Sequence, residues 1–378
     1  MECKSSQRRK TDVRIAQVAP LIETVPPARY GGTERVVSYL TEALVAQGHD
    51  VTLFASGDST TSADLVSVID RSLRLHPRRA DSLVWHTIML DEVFNRASSF
   101  DVIHFHVDIA HYPLASRCAT PSLTTLHGRL DLPDLVPLHK RFARQPLVSI
   151  SDAQRVPLPD AHWIATVHHG LPLDLYQFHP EPQDYFAFVG RISPEKRVDR
   201  AIAIAIATGT RLRIAAKVDP VDQSYFEQHI RPLLGHPLVE FEGEIDDHGK
   251  NDFIGNARAL LFPIDWPEPF GLVVVEALAC GTPVIAYRNG SVPELLTHGQ
   301  TGFIVSSQDQ AIDAARRISR IDRRRCRRHF ERHFASATMA GNYVHIYRRL
   351  IERARPVARQ EPPLLLASST EEEELRRA

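Results

Sequence analysis

Cysteine is scarce in this chain. Four occur in 378 residues, at positions 3, 118, 280 and 326, and no two form a C-x-x-C pair. A disulfide framework or zinc knuckle is therefore not expected, and a reducing compartment fits. Long apolar runs are missing too: none approaches the roughly 18 residues that span a bilayer. The N-terminal MECKSSQRRKTD has no apolar stretch of the kind a secretory signal needs. A soluble, cytoplasmic protein is expected. There is no excess of either charge: 45 Lys and Arg face 46 Asp and Glu, a formal net charge of −1. A protein that neutralises many nucleic-acid phosphates usually carries a basic surplus, so no nucleic-acid partner is expected. Also absent are a D-x-D pair, a G-x-S-x-G elbow and a Walker loop. These absences weigh against a transferase using aspartate-bound metal, a serine hydrolase and a P-loop ATPase.

What is present is ordinary globular material. Hydrophobic residues make up 43% and charged residues 24%, both near globular averages, so the bulk of the chain should fold. Its length predicts two or three domains. Short apolar runs alternate with helical stretches, as in parallel sheets covered by helices. The first half offers strands at 13–19, 51–55, 101–106, 122–126, 147–150 and 163–167. An amphipathic helix carrying Val36, Val37, Leu40, Leu44 and Val45 lies between the first two, and Gly48 ends it. Residues 172–184 are rich in proline and polar groups and read as a linker.

The alternation then restarts. Strands are expected at 185–189, 212–216, 239–241, 259–262 and 283–286, and helices at 198–208, 221–234, 247–256 and 271–279. The fold class is thus α/β, with two Rossmann-like domains whose parallel sheets face a central cleft. Boundaries are expected at 1–180 and 181–340. A C-terminal helix is expected at 341–355 and a disordered tail at 356–378. From 316 to 355 there are thirteen Arg and three acidic residues. A solvated helix face is favoured for them, with weak contact to an anionic membrane as the functional alternative.

Four stretches could carry chemistry. In EPFGLVVVE, Glu268 precedes a helix and Glu276 sits inside it among Val and Ala. A buried carboxylate needs a partner, either an arginine or a pair of ribose hydroxyls. The N–H groups of Phe270, Gly271 and Leu272 at the helix start make an anion site. In VGRISPEK, Arg191 and Lys196 share one strand-to-helix loop and could clamp a diphosphate. The paired Gly31 and Gly32 of YGG allow close approach of backbone to a phosphate. His127 stands at the tip of the strand 122–126, where it could meet a substrate hydroxyl. His104, His106 and Asp108 alternate and so should share a face. Packing, or lining the acceptor side of the cleft, is favoured over metal ligation, because a third firmly spaced ligand is missing. No metal site is expected.

Taken together, EPFGLVVVEALACGTPVIA, VGRISPEKR, TLHG, YGGTERVV and GSVPELLTHGQTGFIV resemble the retaining glycosyltransferases of family four, which have the GT-B fold. The resemblance covers about 13–351, and Glu268 and Glu276 keep the family's E-x7-E spacing. It implies a nucleotide diphosphate sugar as donor, an acceptor that the sequence leaves unidentified (glycan, lipid-linked or small molecule), and neither cofactor nor metal. By the same resemblance Arg191, Lys196, Gly31 and Gly32 would hold the diphosphate and Glu276 the ribose. Glu268, the Phe270–Leu272 backbone and His127 would hold the sugar, and the last helix would cross back to the first domain. The alternatives are a non-catalytic nucleotide-sugar binder and a GT-B sugar-nucleotide epimerase. Contact with the nucleotide base is expected near 242–246. Asp265 and Trp266 depart from the family pattern, in which many relatives carry a serine-containing stretch.

Overall fold

The computed structural model describes residues 12–28, 31–77 and 80–354. Cys3, Tyr30 of the YGG motif and the tail 356–378 lie outside the described residues. Two sheets dominate. The first contains β1 (Arg14–Val18), β2 (Asp50–Phe54), β3 (Asp64–Val66), β4 (Val102–Phe105), β5 (Ser122–Thr125), β6 (Leu147–Ser149) and β7 (Trp163–Thr166). Its order is β3-β2-β1-β4-β5-β6-β7, with every pairing parallel. The second contains β8 (Tyr185–Arg191), β9 (Arg211–Lys217), β10 (Val239–Gly243), β11 (Ala259–Phe262), β12 (Val284–Tyr287) and β13 (Gly302–Val305). Its order is β10-β9-β8-β11-β12-β13, again parallel throughout. The strands β11, β12 and β13 are buried at every position, which is why their sequences ALLF, VIAY and GFIV are apolar without alternation.

Most expected strands fall within a residue or two of their observed limits. Several elements were not anticipated, among them the helices Leu135–Arg141 and Gln308–Arg317. β3 has only three residues, β13 lies inside a motif read for its resemblance, and the helix Ser82–Asn95 leaves Leu83, Val84 and Ile88 exposed, which blurs its apolar stripe. The expected helix 221–234 is broken into short 3-10, α and π pieces between Pro220 and Gly235. Pro232 is the physical reason: it has no N–H to give and clashes with the carbonyl four residues back. Among the described residues no helix is long and apolar enough to cross a membrane.

Each sheet has its own core, and the helix Ser336–Ala354 joins that of the first. Its Met339, Ala340, Tyr343, Val344, Ile346 and Tyr347 pack with Ile15, Val36, Leu40, Leu123 and Val148. The two chain passes between the sheets touch: Leu171 N–H donates to Phe334 O at 2.9 Å, and Ser336 N–H to Leu171 O at 2.8 Å. The proline-rich stretch between the sheets is not slack. Arg327 donates to the carbonyls of Leu173, Tyr176 and Ala279, and the buried Arg323 to those of His179, Gly255 and Ala257. Two arginines of the Arg-rich segment therefore staple backbone. Arg320, Arg324, Arg325, Arg328 and Arg332 stay exposed.

Candidate active site

In a doubly wound parallel sheet, the loops diverge where the strand order reverses, leaving a crevice at the carboxyl ends of the strands. In the first sheet that point lies between β1 and β4, and in the second between β8 and β11. The chain places its chemistry there. Gly31 and Gly32 follow β1, Arg191 ends β8 with Lys196 just beyond, and Trp266 to Leu272 follow β11. All of these except Pro269 and Phe270 line one cleft of about 730 Å³, as do Arg35, Arg129 and Asp131 from the first domain and Lys217, Glu244 to Asp246, Lys250 and Glu276 from the second.

Six cations and six carboxylates line this cleft, so it is not an open basic pocket; Lys196, Arg191 and Lys250 are each paired with a carboxylate. The Lys196 ammonium grips Glu268 Oε2, and the Trp266 indole N–H donates to the same oxygen at 2.8 Å. Arg191 lies 2.5 Å from Glu195 and 3.8 Å from Asp219. Its Nε is 3.3 Å from Asp222 Oδ2, an ion pair not aligned as a hydrogen bond. Glu276 is buried and pairs with Lys250 at 3.1 Å. Its partner is thus a lysine, where the sequence suggested an arginine. Any anion that recruits Lys196 or Arg191 has to draw it away from a carboxylate. The Glu268 carboxylate would then keep only the Trp266 indole N–H.

The loop around Glu268 is held by its backbone. Ser291 N–H donates to Glu268 O at 3.0 Å, and Ser291 Oγ donates to Phe270 O. Gly290 makes this fit possible: at φ 53, an added Cβ would lie 2.2 Å from Glu268 O. The helix Leu272–Cys280 then starts at Gly271, whose φ is 88. Its first N–H groups have no partner within the helix and point to the crevice end. The Phe270 side chain itself is buried against His169 and Phe334, so that residue can offer the site only backbone. Gly31 is fixed similarly, since a Cβ there would meet Pro27 at 2.8 Å.

His127 is half-buried and stands at the end of a hydrogen-bond chain. Gln17 Nε2 donates to Tyr347 OH at 3.0 Å, and Gln17 Oε1 accepts from His106 Nε2 at 2.8 Å. His106 Nδ1 must then accept from His127 Nε2, at 2.9 Å. His127 Nδ1 remains a buried acceptor with no partner among the described residues. Tyr347 OH donates to His104 Nδ1 at 2.8 Å, and His104 Nε2 donates to Thr125 Oγ1 at 2.7 Å. Every ring nitrogen of His104 and His106 is therefore used inside the protein, as the packing reading expects. Asp108 does not share their face, because the strand ends at Phe105 and Asp108 turns away at φ 49. Burial pushes His127 down to about 3 and also lowers His104, His106 and His169, so this cluster is neutral at ordinary pH.

Residues that sequence reasoning missed tie the domains together. Glu294 accepts from the N–H groups of Asp152 at 2.8 Å and Ala153 at 2.9 Å, and lies 3.0 Å from His168 Nε2. Burial works to raise the Glu294 carboxyl, but these bonds outweigh it and hold it below the usual range. Ser151 Oγ donates to Pro269 O at 2.6 Å, beside Glu268. Their only sequence signal was a glutamate in GSVPELL, which spacing alone could not assign.

Two family models match the chain. That of the group 1 glycosyl transferases covers residues 177–331, and that of glycosyltransferase family 4 covers 30–156. A D-inositol 3-phosphate glycosyltransferase of Streptomyces scabiei is 32% identical over 178 residues, 40% of this chain and 39% of that protein. The chain thus spans about two fifths of the length of the inositol-phosphate glycosyltransferases it matches. A phosphatidyl-myo-inositol mannosyltransferase of Mycobacterium leprae is 25% identical over 333 residues, 79% of this chain and 85% of that protein. Among solved structures, AviGT4, a glycosyltransferase involved in avilamycin A biosynthesis, superposes with a TM-score of 0.69 at 25% identity, over 90% of this chain and 98% of that one. The fold is shared as well with an Anabaena protein, HepE, in complex with UDP-glucose, at TM-score 0.67 and 16% identity over 89% of this chain and all of that one.

Proposed function

The chain belongs to the glycosyltransferases of family four, with the GT-B fold, and from that premise we propose that it moves a sugar from a nucleotide diphosphate sugar to an acceptor, with retention of anomeric configuration and without a metal. One observation carries the reading. Arg191 and Lys196 converge with the Glu268–Leu272 loop at the switch point of the second sheet, and Gly31 and Gly32 lie across the same cleft.

The residues suit the chemistry. Breaking the bond from the anomeric carbon to phosphate builds negative charge on the leaving oxygen and positive charge on the sugar ring. Lys196, Arg191 and the N–H groups opening the Leu272–Cys280 helix stabilise the first. Fixed donors of this kind are typically worth about 3–4 kcal/mol each. Glu268, released from Lys196, accepts from sugar hydroxyls. In this reading Glu276, with Lys250 beside it, binds the ribose, and the Glu244–Asp246 backbone, in the same cleft, meets the base. Retention requires attack on the face that the leaving group departs, and the departing phosphate oxygen itself takes the acceptor's proton. No separate carboxylate pair is required, unlike in a retaining glycosidase. UDP-glucose bound to the structural neighbour HepE supports a nucleotide-sugar donor. The exposed arginines Arg320, Arg324, Arg325, Arg328 and Arg332 are proposed as a weak contact for anionic membrane, read by flotation with anionic vesicles at low salt.

A thermal-shift panel of uridine, adenosine and guanosine diphosphate sugars tests the reading, because a ligand that binds only the folded chain raises its melting point. At least one should do so, and it should be hydrolysed slowly without acceptor. Conversion of the intact donor to a different sugar would instead mark an epimerase. A melting point unmoved by the whole panel overturns the donor assignment.

A further inference from the structure

The segment Pro263 to Pro267, between β11 and Glu268, is bolted down on both sides. The Asp265 carboxylate accepts from Arg197 at 2.8 Å and Arg200 at 3.0 Å, and its N–H donates to Glu195 O at 2.8 Å. Asn289 Nδ2 donates to Ile264 O at 2.8 Å. This anchoring aims one side chain into the cleft. The Trp266 indole N–H reaches Glu268 Oε2 at 2.8 Å, while its ring centroid lies 5.7 Å from the Lys196 ammonium. Both donors converge on one oxygen. Glu268 Oε1 receives no hydrogen bond from the described residues.

Resting on the donor reading above, we propose that Trp266 is a positioning residue for the sugar-binding carboxylate: its indole N–H keeps Glu268 aimed at the sugar hydroxyls after Lys196 has moved to the diphosphate. With the cleft empty, Lys196 and Trp266 share the Glu268 charge. The diphosphate takes the cation, because two phosphate charges outbid one carboxylate. A second cation in place of the indole would be drawn off in the same way. A neutral donor on a rigid ring has no such pull and stays on Oε2. Oε1 therefore keeps its direction at the moment a sugar hydroxyl needs an acceptor. The sugar's share of donor binding then depends on Trp266, and the nucleotide's share does not.

The test uses the full chain with Trp266→Phe, which keeps a ring and loses the donor, and Trp266→His, which restores an aromatic N–H. Uridine, adenosine and guanosine diphosphates and their hexose conjugates are titrated by calorimetry, with melting points checking the fold. In Trp266→Phe the bare diphosphate should bind within about twofold of wild type. The extra affinity given by the sugar should fall about tenfold, as expected for one hydrogen bond to a charged group, with kcat falling in parallel, and Trp266→His should recover part of both. An unchanged sugar contribution in Trp266→Phe overturns the inference. So does equal loss of bare diphosphate binding in both variants, which would make the ring merely a wall. Wild-type protein that binds none of the three diphosphates overturns the donor reading itself, and this inference with it.

Discussion

Lys196 has two claims on it, the Glu268 carboxylate that it grips and the phosphate it is proposed to meet. The pair lines the cleft, and with the lysine gone the Trp266 indole N–H still donates to Glu268 Oε2, so the carboxylate keeps a partner. Lys196→Ala should therefore leave the melting point within a few degrees of wild type, while transfer falls by about 100-fold or more, the value of one fixed donor to the leaving group. Comparable turnover in the variant, or its collapse as a folded protein, contradicts that assignment of roles. The residue scale is also where sequence was most informative. Lys196, Arg191, Glu268 and Glu276 stand out because charged groups next to apolar strands and helices need a reason. Lys250 did not, since nothing in HGKND indicates that it will face a helix twenty-six residues later.

At the scale of elements, the helix Ser336–Ala354 does more than cover the first sheet. Through Tyr347 it reaches Gln17 on β1, and from there His106 and His127. Gln17 and His104 are fully buried. Tyr347→Phe would leave Gln17 Nε2 and His104 Nδ1 without their partner. Each orphaned buried group costs about 1–3 kcal/mol, so urea unfolding should show a loss of about 2–4 kcal/mol despite an almost unchanged shape. A loss below about 0.5 kcal/mol, the range of inert surface changes, would show that the chain of bonds does not act as drawn. A helix was expected here at 341–355, and the observed one begins five residues earlier. The relay was not readable from sequence, because Gln17 and His104 lie 330 and 243 residues from Tyr347 and meet it only through the parallel strand order and the returning helix. Short strands such as β3, and the helix Ser82–Asn95 with its exposed leucine, valine and isoleucine, escaped for a related reason: their partners, not their own patterns, define them.

For the whole molecule, the buried histidines set an acid limit. An unfolded histidine titrates near 6.5, while burial holds His111 and His127 at about 3 and lowers His104, His106 and His169 as well. The unfolded chain thus binds more protons below about pH 6.5, and the native state loses stability as pH falls from there toward 3. Melting temperature should decline steadily across that window and stay level between about pH 7 and 8. A melting temperature that holds constant down to pH 4 would mean that these rings are charged or exposed in the folded protein.

The two domains meet at a cleft in which Lys196, Arg191 and Lys250 are paired with carboxylates, and function is read as an exchange of those partners. A structure of the protein with a bound nucleotide diphosphate sugar tests this most directly. The account predicts the phosphates within hydrogen-bond reach of Lys196 and Arg191, the Lys196 ammonium off Glu268, and Glu268 on a sugar hydroxyl. Phosphates bound elsewhere, with the Lys196–Glu268 pair still closed, would contradict it.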